Sequence, residues 1–328
     1  MFTNHASTLP KLPALAPSVL QPRTKSPLRF RDLTLADIPQ IMPLLAKARS
    51  RTCDYTIGGI YMWISFFNYK FCICNNTLFL SGLTENHTEL PAFSLPIGEM
   101  PLRQSIQLLE DYCAANNIPL RFSAIPADRV GDFLAIRNFT LEPLSDWGDY
   151  LYNLSDLASL SGKKLSKKRN HVNRFTADNP GAHLDTLTEA DVPALIEALN
   201  SWTATGEPET DTHRQEREMT ADVLRNLSAY PFEGAVLRLA DGTVAAFTLA
   251  EIIGDTIFVH IEKMDHTIAG AGEAINKMFA ARISEKYPQI AYANREEDCG
   301  DPSLRYTKES YRPLTVLAKF NLHYNPAK

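Results

Sequence analysis

With 328 residues, 45% of them hydrophobic and 22% charged, the chain is long enough for two domains and has the composition of a folded globular protein. It contains no run of eighteen or more apolar residues, so no membrane-spanning helix is expected and the expected location is the cytoplasm. A net charge of −5 counts against a general nucleic-acid binder, whose usual footprint is domain-wide positive charge.

The first 27 residues carry Pro10, Pro13, Pro17, Pro22 and Pro27 and have neither a basic start nor a long apolar core. They read as an extended, disordered arm and not as a signal peptide. Beyond it, periodicity predicts strands over 69–74, 77–83, 93–97, 120–125 and 149–154, with helices over 38–48, 102–116 and 127–136. The later part is expected to form strands over 235–239, 244–252, 256–262, 290–293 and 314–320 and helices over 191–202, 214–228 and 272–285. Asp241-Gly242 and Gly254-Asp255 have hairpin chemistry, so this region is an antiparallel meander leading into a helix.

A repeat links the two halves: Leu33-Thr-Leu-Ala-Asp-Ile-Pro39 returns as Leu187-Thr-Glu-Ala-Asp-Val-Pro193, each after a short strand and before a helical pattern. Thr is a good N-cap, Asp in the first turn complements the helix dipole, and Pro is tolerated early. The order of strand, helices, three-strand meander, helix and further strands is that of the acetyltransferase-like fold called GNAT. The expected fold class is α/β, layered in the α+β manner: two tandem GNAT-like acyltransferase domains with mixed, largely antiparallel sheets. Their expected bounds are 1–27 for the arm, 28–154 for the first domain, 155–180 for a basic connecting helix and 181–328 for the second domain.

That connecting segment, LSGKKLSKKRNHVNRF at 160–175, concentrates Lys163, Lys164, Lys167, Lys168, Arg169 and Arg174 with no acid. As a helix it sets Lys163, Lys167, Asn170 and Arg174 on one face, with Leu165, Val172 and Phe175 as a thin apolar stripe elsewhere. An anionic ligand is the functional reading and a solvated Lys-rich helix the bland one. Gly270, Gly272 and Ala274 form a G-x-G-x-A pattern between a strand and a helix, where backbone amides and the helix N-terminus can receive a pyrophosphate. Thr267 stands where acetyltransferases open this signature with Arg or Gln. On the preceding strand, alternation sets His260 and Glu262 on one face and Lys263 on the other, with Glu262 a candidate to take a proton from an attacking amine. Beyond the next strand, Arg295, Glu296, Glu297, Asp298, Asp301, Arg305, Lys308, Tyr311 and Arg312 crowd one polar loop, either as a site or as a self-satisfied salt-bridge network. Cys53, Cys72, Cys74, Cys113 and Cys299 show no CxxC pair and no zinc spacing, so they read as free thiols and no metal is expected.

The stretches Asp149-Tyr-Leu-Tyr152, 160–175, Glu297-Asp-Cys-Gly300, Leu304-Arg305, Lys308 and Tyr311-Arg-Pro313 resemble a bacterial family, DUF2156, grouped with the C-terminal domain of phosphatidylglycerol lysyltransferases. Cys53-Asp-Tyr-Thr56 and Tyr61-Met-Trp63 look like its first-domain signature. The resemblance implies a tandem GNAT-like fold related to enzymes that move an aminoacyl group from charged tRNA to a lipid or peptidoglycan amine or hydroxyl. The expected activity is acyl or aminoacyl transfer from aminoacyl-tRNA or acyl-CoA to an unidentified acceptor, with peripheral membrane contact left open. Lys163, Lys164, Lys167, Lys168, Arg169, Asn170, Arg174, Gly270, Gly272, Arg305 and Lys308 are expected to bind the donor, and Glu262 or Asp298 to handle the acceptor proton. The rival from another class is a non-catalytic module binding nucleic acid or another polyanion.

Overall fold

The computed structural model describes residues 26–87, 89–202 and 211–326. The first half supplies β1 (Arg31–Asp32), α1 (Ile38–Leu45), α2 (Ile57–Tyr61), α3 (Ile64–Phe67), β2 (Lys70–Cys74), β3 (Thr77–Leu83), β4 (Pro91–Phe93), β5 (Ile97–Gly98), α4 (Leu102–Asn116), β6 (Arg121–Pro126), α5 (Ala127–Leu134) and β7 (Phe139–Pro143). β8 (Asp149–Asn153), α6 (Leu154–Ser159) and α7 (Ser166–Asp178) follow. The second half supplies β9 (His183–Thr186), α8 (Val192–Trp202), α9 (Asp211–Arg225), β10 (Phe232–Arg238), β11 (Val244–Ile253), β12 (Thr256–Met264), α10 (Ala271–Lys286), β13 (Tyr292–Asn294), α11 (Pro302–Ser310), β14 (Thr315–Leu317) and β15 (Lys319–Tyr324).

Two mixed sheets result. One runs β1-β2-β3-β4-β6-β15-β7, with β5 also on β3, and the other β9-β10-β11-β12-β13-β8-β14. The orders correspond position by position, including the one parallel contact in each, β4 with β6 and β12 with β13. The position before the last is exchanged: β8, from the first half, lies between β13 and β14, and β15, from the end of the chain, lies between β6 and β7. The sheets therefore do not divide at the expected bounds of 154 and 181. Alternation identifies a strand but says nothing about which sheet receives it, and the rule that consecutive elements are neighbours fails at both strands.

Both copies of the repeat form a capping box. Asp37 Oδ2 accepts from the Thr34 N–H at 2.9 Å and its hydroxyl at 2.8 Å, and Asp191 Oδ2 does the same for Thr188 at 2.8 Å each. Pro39 then opens α1 where a missing N–H costs nothing. Of the expected arm, residues 1–25 lie outside the described residues, while Ser26 and Leu28 are already buried.

One face of the second sheet, with Val236, Phe247, Leu249 and Ile261, joins Leu195, Val223 and Leu224 and runs without a break into the core of the first half. The other face packs on α6, α7 and α10, where Leu165, Val172 and Phe175 are buried as their stripe predicts. Small residues bring α10 and α7 together: a Cβ on Gly270, whose φ is +83°, would stand 2.7 Å from the His171 carbonyl oxygen. Among the described residues no helix is long and apolar enough to cross a membrane.

Candidate functional site

The end of β12, the loop into α10, α7 and the segment after β13 enclose a cavity of about 210 Å³. Lys168, Glu262, Gly270, Gly272, Arg295 and Tyr311 all line it. Glu262 Oε1 accepts from Arg295 Nη2 at 2.8 Å, and its Oε2 accepts from Asn276 Nδ2 at 3.2 Å. The Arg295 side chain is 10% exposed, and its Nη1 is buried with no hydrogen-bond partner. Lys168 pairs with Glu273 at 3.2 Å and lies over the Tyr311 ring at 4.3 Å, and the Arg295 guanidinium sits 4.8 Å from the same ring centroid. Burial pushes the Tyr311 hydroxyl far above its ordinary pKa, so it stays a neutral donor. The wall thus holds two cations whose charge is met by Glu273 and Glu262, one unused guanidinium donor, and the start of a sixteen-residue helix.

The other predicted donor residues divide. Lys163, Lys164, Lys167 and Asn170 are exposed on the segment that carries Lys168. Arg169 is spent locally, donating to the carbonyls of Leu160 at 2.6 Å and Gly162 at 3.1 Å, and Arg174 pairs with Asp178 at 3.3 Å. Arg305 and Lys308 do not line the cavity. Arg305 holds Asp298 through two bonds of 2.9 and 2.8 Å, and buried Lys308 donates to the carbonyls of Arg295 and Glu297, so both brace the loop. Asp298 is likewise outside the cavity. Burial opposes its charge, but Arg305, the Tyr150 hydroxyl at 2.6 Å and the Gly300 N–H hold its carboxyl down at about 2, and these bonds anchor the loop.

His260 departs from the expected alternation. Leu249 pairs with Ile261 and Ala250 with Val259, which leaves His260 as the extra residue of a β-bulge. The bulge turns His260 to the face opposite Glu262, where its side chain is wholly buried. There Nδ1 lies 2.7 Å from Glu296 Oε1 and Nε2 lies 3.4 Å from Glu251 Oε2. Burial lowers its pKa, but the two carboxylates outweigh this and raise it to about 9. Glu251 also accepts from the N–H groups of Ile57 and Gly58 at 3.1 and 2.9 Å, so the triad fastens the second sheet to α2.

A second buried cluster escaped the sequence reading. Lys319, the first residue of β15, has 1% of its side chain exposed; its Nζ lies 2.6 Å from Asp149, the first residue of β8, and 2.8 Å from Asp54. The two exchanged strands therefore meet as an ion pair. Asn294 Nδ2 and the Cys53 N–H also donate to Asp149, each at 2.6 Å, and Glu297 completes the group at 3.9 Å from Lys319. Ligand atoms of Cys53, Asp54 and Asp149 lie within 4.8 Å of one another, with the Lys319 ammonium among them as counter-cation. Burial raises the Asp54 carboxyl to about 6 and the Cys53 thiol well above its ordinary value. The available signal was the acid-rich run after β13, whose members serve different ties: Arg295 the cavity, Glu296 His260, Glu297 Lys319, and Asp298 Arg305.

Comparison with known proteins supports the expected family. A protein of unknown function from Bacteroides thetaiotaomicron is 30% identical, with a TM-score of 0.81 over 91% of this chain and 100% of that one. A C-terminal domain (DUF2156) assigned to a lysylphosphatidylglycerol synthetase of Agrobacterium fabrum shares the fold at 14% identity, with a TM-score of 0.62 over 89% of this chain and 93% of that one. An uncharacterized protein of Mycoplasmoides gallisepticum is 25% identical over 189 residues, which is 52% of this chain and 54% of that protein, so the match spans about half the length of this curated relative. The fold is thus shared with that C-terminal domain, in keeping with two sheets of one strand order. The family model for the C-terminal part of phosphatidylglycerol lysyltransferase matches residues 46–323, and the chain belongs to that family.

Proposed function

We propose that this chain transfers an aminoacyl group from tRNA to an amine or hydroxyl acceptor in the cavity at the start of α10. The observation that carries the reading is Arg295, nine-tenths buried in the cavity wall, whose Nη2 is fixed by Glu262 while Nη1 has no partner. A buried donor of this kind is costly unless a ligand completes it. It suits the acyl carbonyl oxygen, which gains negative charge as the acceptor attacks. The acceptor nitrogen or oxygen bonds to the acyl carbon and the bond from that carbon to the ribose oxygen breaks. The acceptor proton passes to Glu262 and then to the leaving oxygen, and nothing is oxidised or reduced.

Lys163, Lys164 and Lys167, exposed beside Lys168, supply cations for a phosphate backbone extending beyond a cavity of about 210 Å³. Acyl-CoA is the competing donor. Thr267 at the head of the glycine loop and the close packing of α7 on Gly270 favour the tRNA reading. Filter binding with aminoacylated tRNA, deacylated tRNA and CoA tests it. Replacing Lys163, Lys164 and Lys167 by Ala is expected to weaken both tRNA forms and to lower the salt slope by roughly one for each phosphate no longer neutralised. Arg295→Ala is expected to abolish the preference for the aminoacylated form and leave the slope unchanged. Tight CoA binding together with no preference for aminoacylated tRNA in the wild-type protein contradicts the proposal.

A further inference from the structure

A second cleft, of about 370 Å³, lies where α2 and α3 of the first half face α9 of the second. It is on the side of the second sheet away from α10, since α9 packs through Val223 and Leu224 into the core shared with the first half, whereas α10 packs on the other face. Its walls are aromatic and thioether-rich, from Tyr61, Met62, Trp63, Phe66 and Met219. The rings of Trp63 and Phe66 meet edge to face with centroids 6.0 Å apart, and Phe66 is 43% exposed.

The polar side of the cleft has a single sign. Gln215, Glu218 and Asp222, at i, i+3 and i+7, share one face of α9, and no Lys or Arg is among the described residues lining the cleft. The wall also contains a buried polar group in need of a partner: Tyr61 is 5% exposed and its hydroxyl has no hydrogen-bond partner. Burial pushes this phenol above its ordinary pKa, so it remains protonated.

We propose that this cleft binds an organic ammonium ion with an apolar stem. Ring faces and two carboxylates attract the cation, and the Met and aromatic walls take the stem. The first cavity differs in its unused group, which is a guanidinium donor. The two sites are therefore chemically distinct, and this proposal does not depend on the transfer reading.

Isothermal titration of the full chain with pentylamine, pentanol and pentanoate separates the contributions. Pentylamine is expected to saturate, with the uncharged and anionic analogues weaker by about tenfold or more. Combining Glu218→Gln with Asp222→Asn is expected to weaken pentylamine to a similar extent without lowering the unfolding midpoint, because both acids are exposed. Phe66→Ala is expected to weaken pentylamine and pentanol alike. The proposal is overturned if pentylamine does not saturate, if pentanol binds as tightly, or if the charge-neutral variant keeps its affinity.

Discussion

Lys319 places its ammonium 2.6 Å from Asp149 and 2.8 Å from Asp54, so removing it leaves carboxylates stranded where water has little access. Lys319→Met is expected to destabilise the fold by about 3–5 kcal/mol, and adding Asp149→Asn to restore part of that loss, as read by urea denaturation. Equal stability of Lys319→Met and wild type would show that the cluster is not the junction described. His260 makes a pH prediction. Its folded pKa, about 9, exceeds the ordinary 6.5, so its contribution is fully present below 6.5 and is lost as pH rises through about 9. His260→Asn should flatten the fall in urea midpoint over that window, and an undiminished fall in the variant would assign it to other groups. Neither residue was legible from its neighbours in sequence. Lys319 meets its two nearest carboxylates, Asp149 and Asp54, across more than 150 residues of chain, and His260 is turned by a bulge that alternation cannot reveal.

Elements were more readable than contacts, because periodicity and caps are local. The fifteen-residue α4, Leu102–Asn116, has the bounds its pattern predicts, and the apolar stripe of α7 is buried as drawn. The repeated Thr-to-Asp entry forms the same capping box twice, so Thr34→Ala and Thr188→Ala are each expected to cost about 1 kcal/mol, and a negligible change in both unfolding free energies would contradict the cap assignment. The basic segment was only half legible. Its charge pointed to an anion, but sequence spacing could not show that Arg169 caps the turn at Leu160 or that Lys168 pairs with Glu273. The acid-rich loop after β13 illustrates the same limit: Asp298 and Glu262 look alike as carboxylates, and only packing assigns one to Arg305 and the other to the cavity.

At the scale of the whole molecule the halves share one strand order, yet each is completed by a strand from the other, β8 or β15. A fragment of residues 155–328 lacks β8 between β13 and β14, so it is expected to show no cooperative unfolding transition; a sharp transition would mean that the exchange is dispensable. This arrangement, together with the shared core, holds the two clefts in one body, one presenting a guanidinium donor and the other carboxylates. The most direct test of the transfer site is a crystal structure of the full chain with a hydrolysis-resistant aminoacyl-adenosine analogue. The account predicts the acyl carbonyl against Arg295 Nη1 with Glu262 beside the acyl carbon. An analogue bound between Trp63 and Asp222, with the cavity at α10 empty, would contradict it.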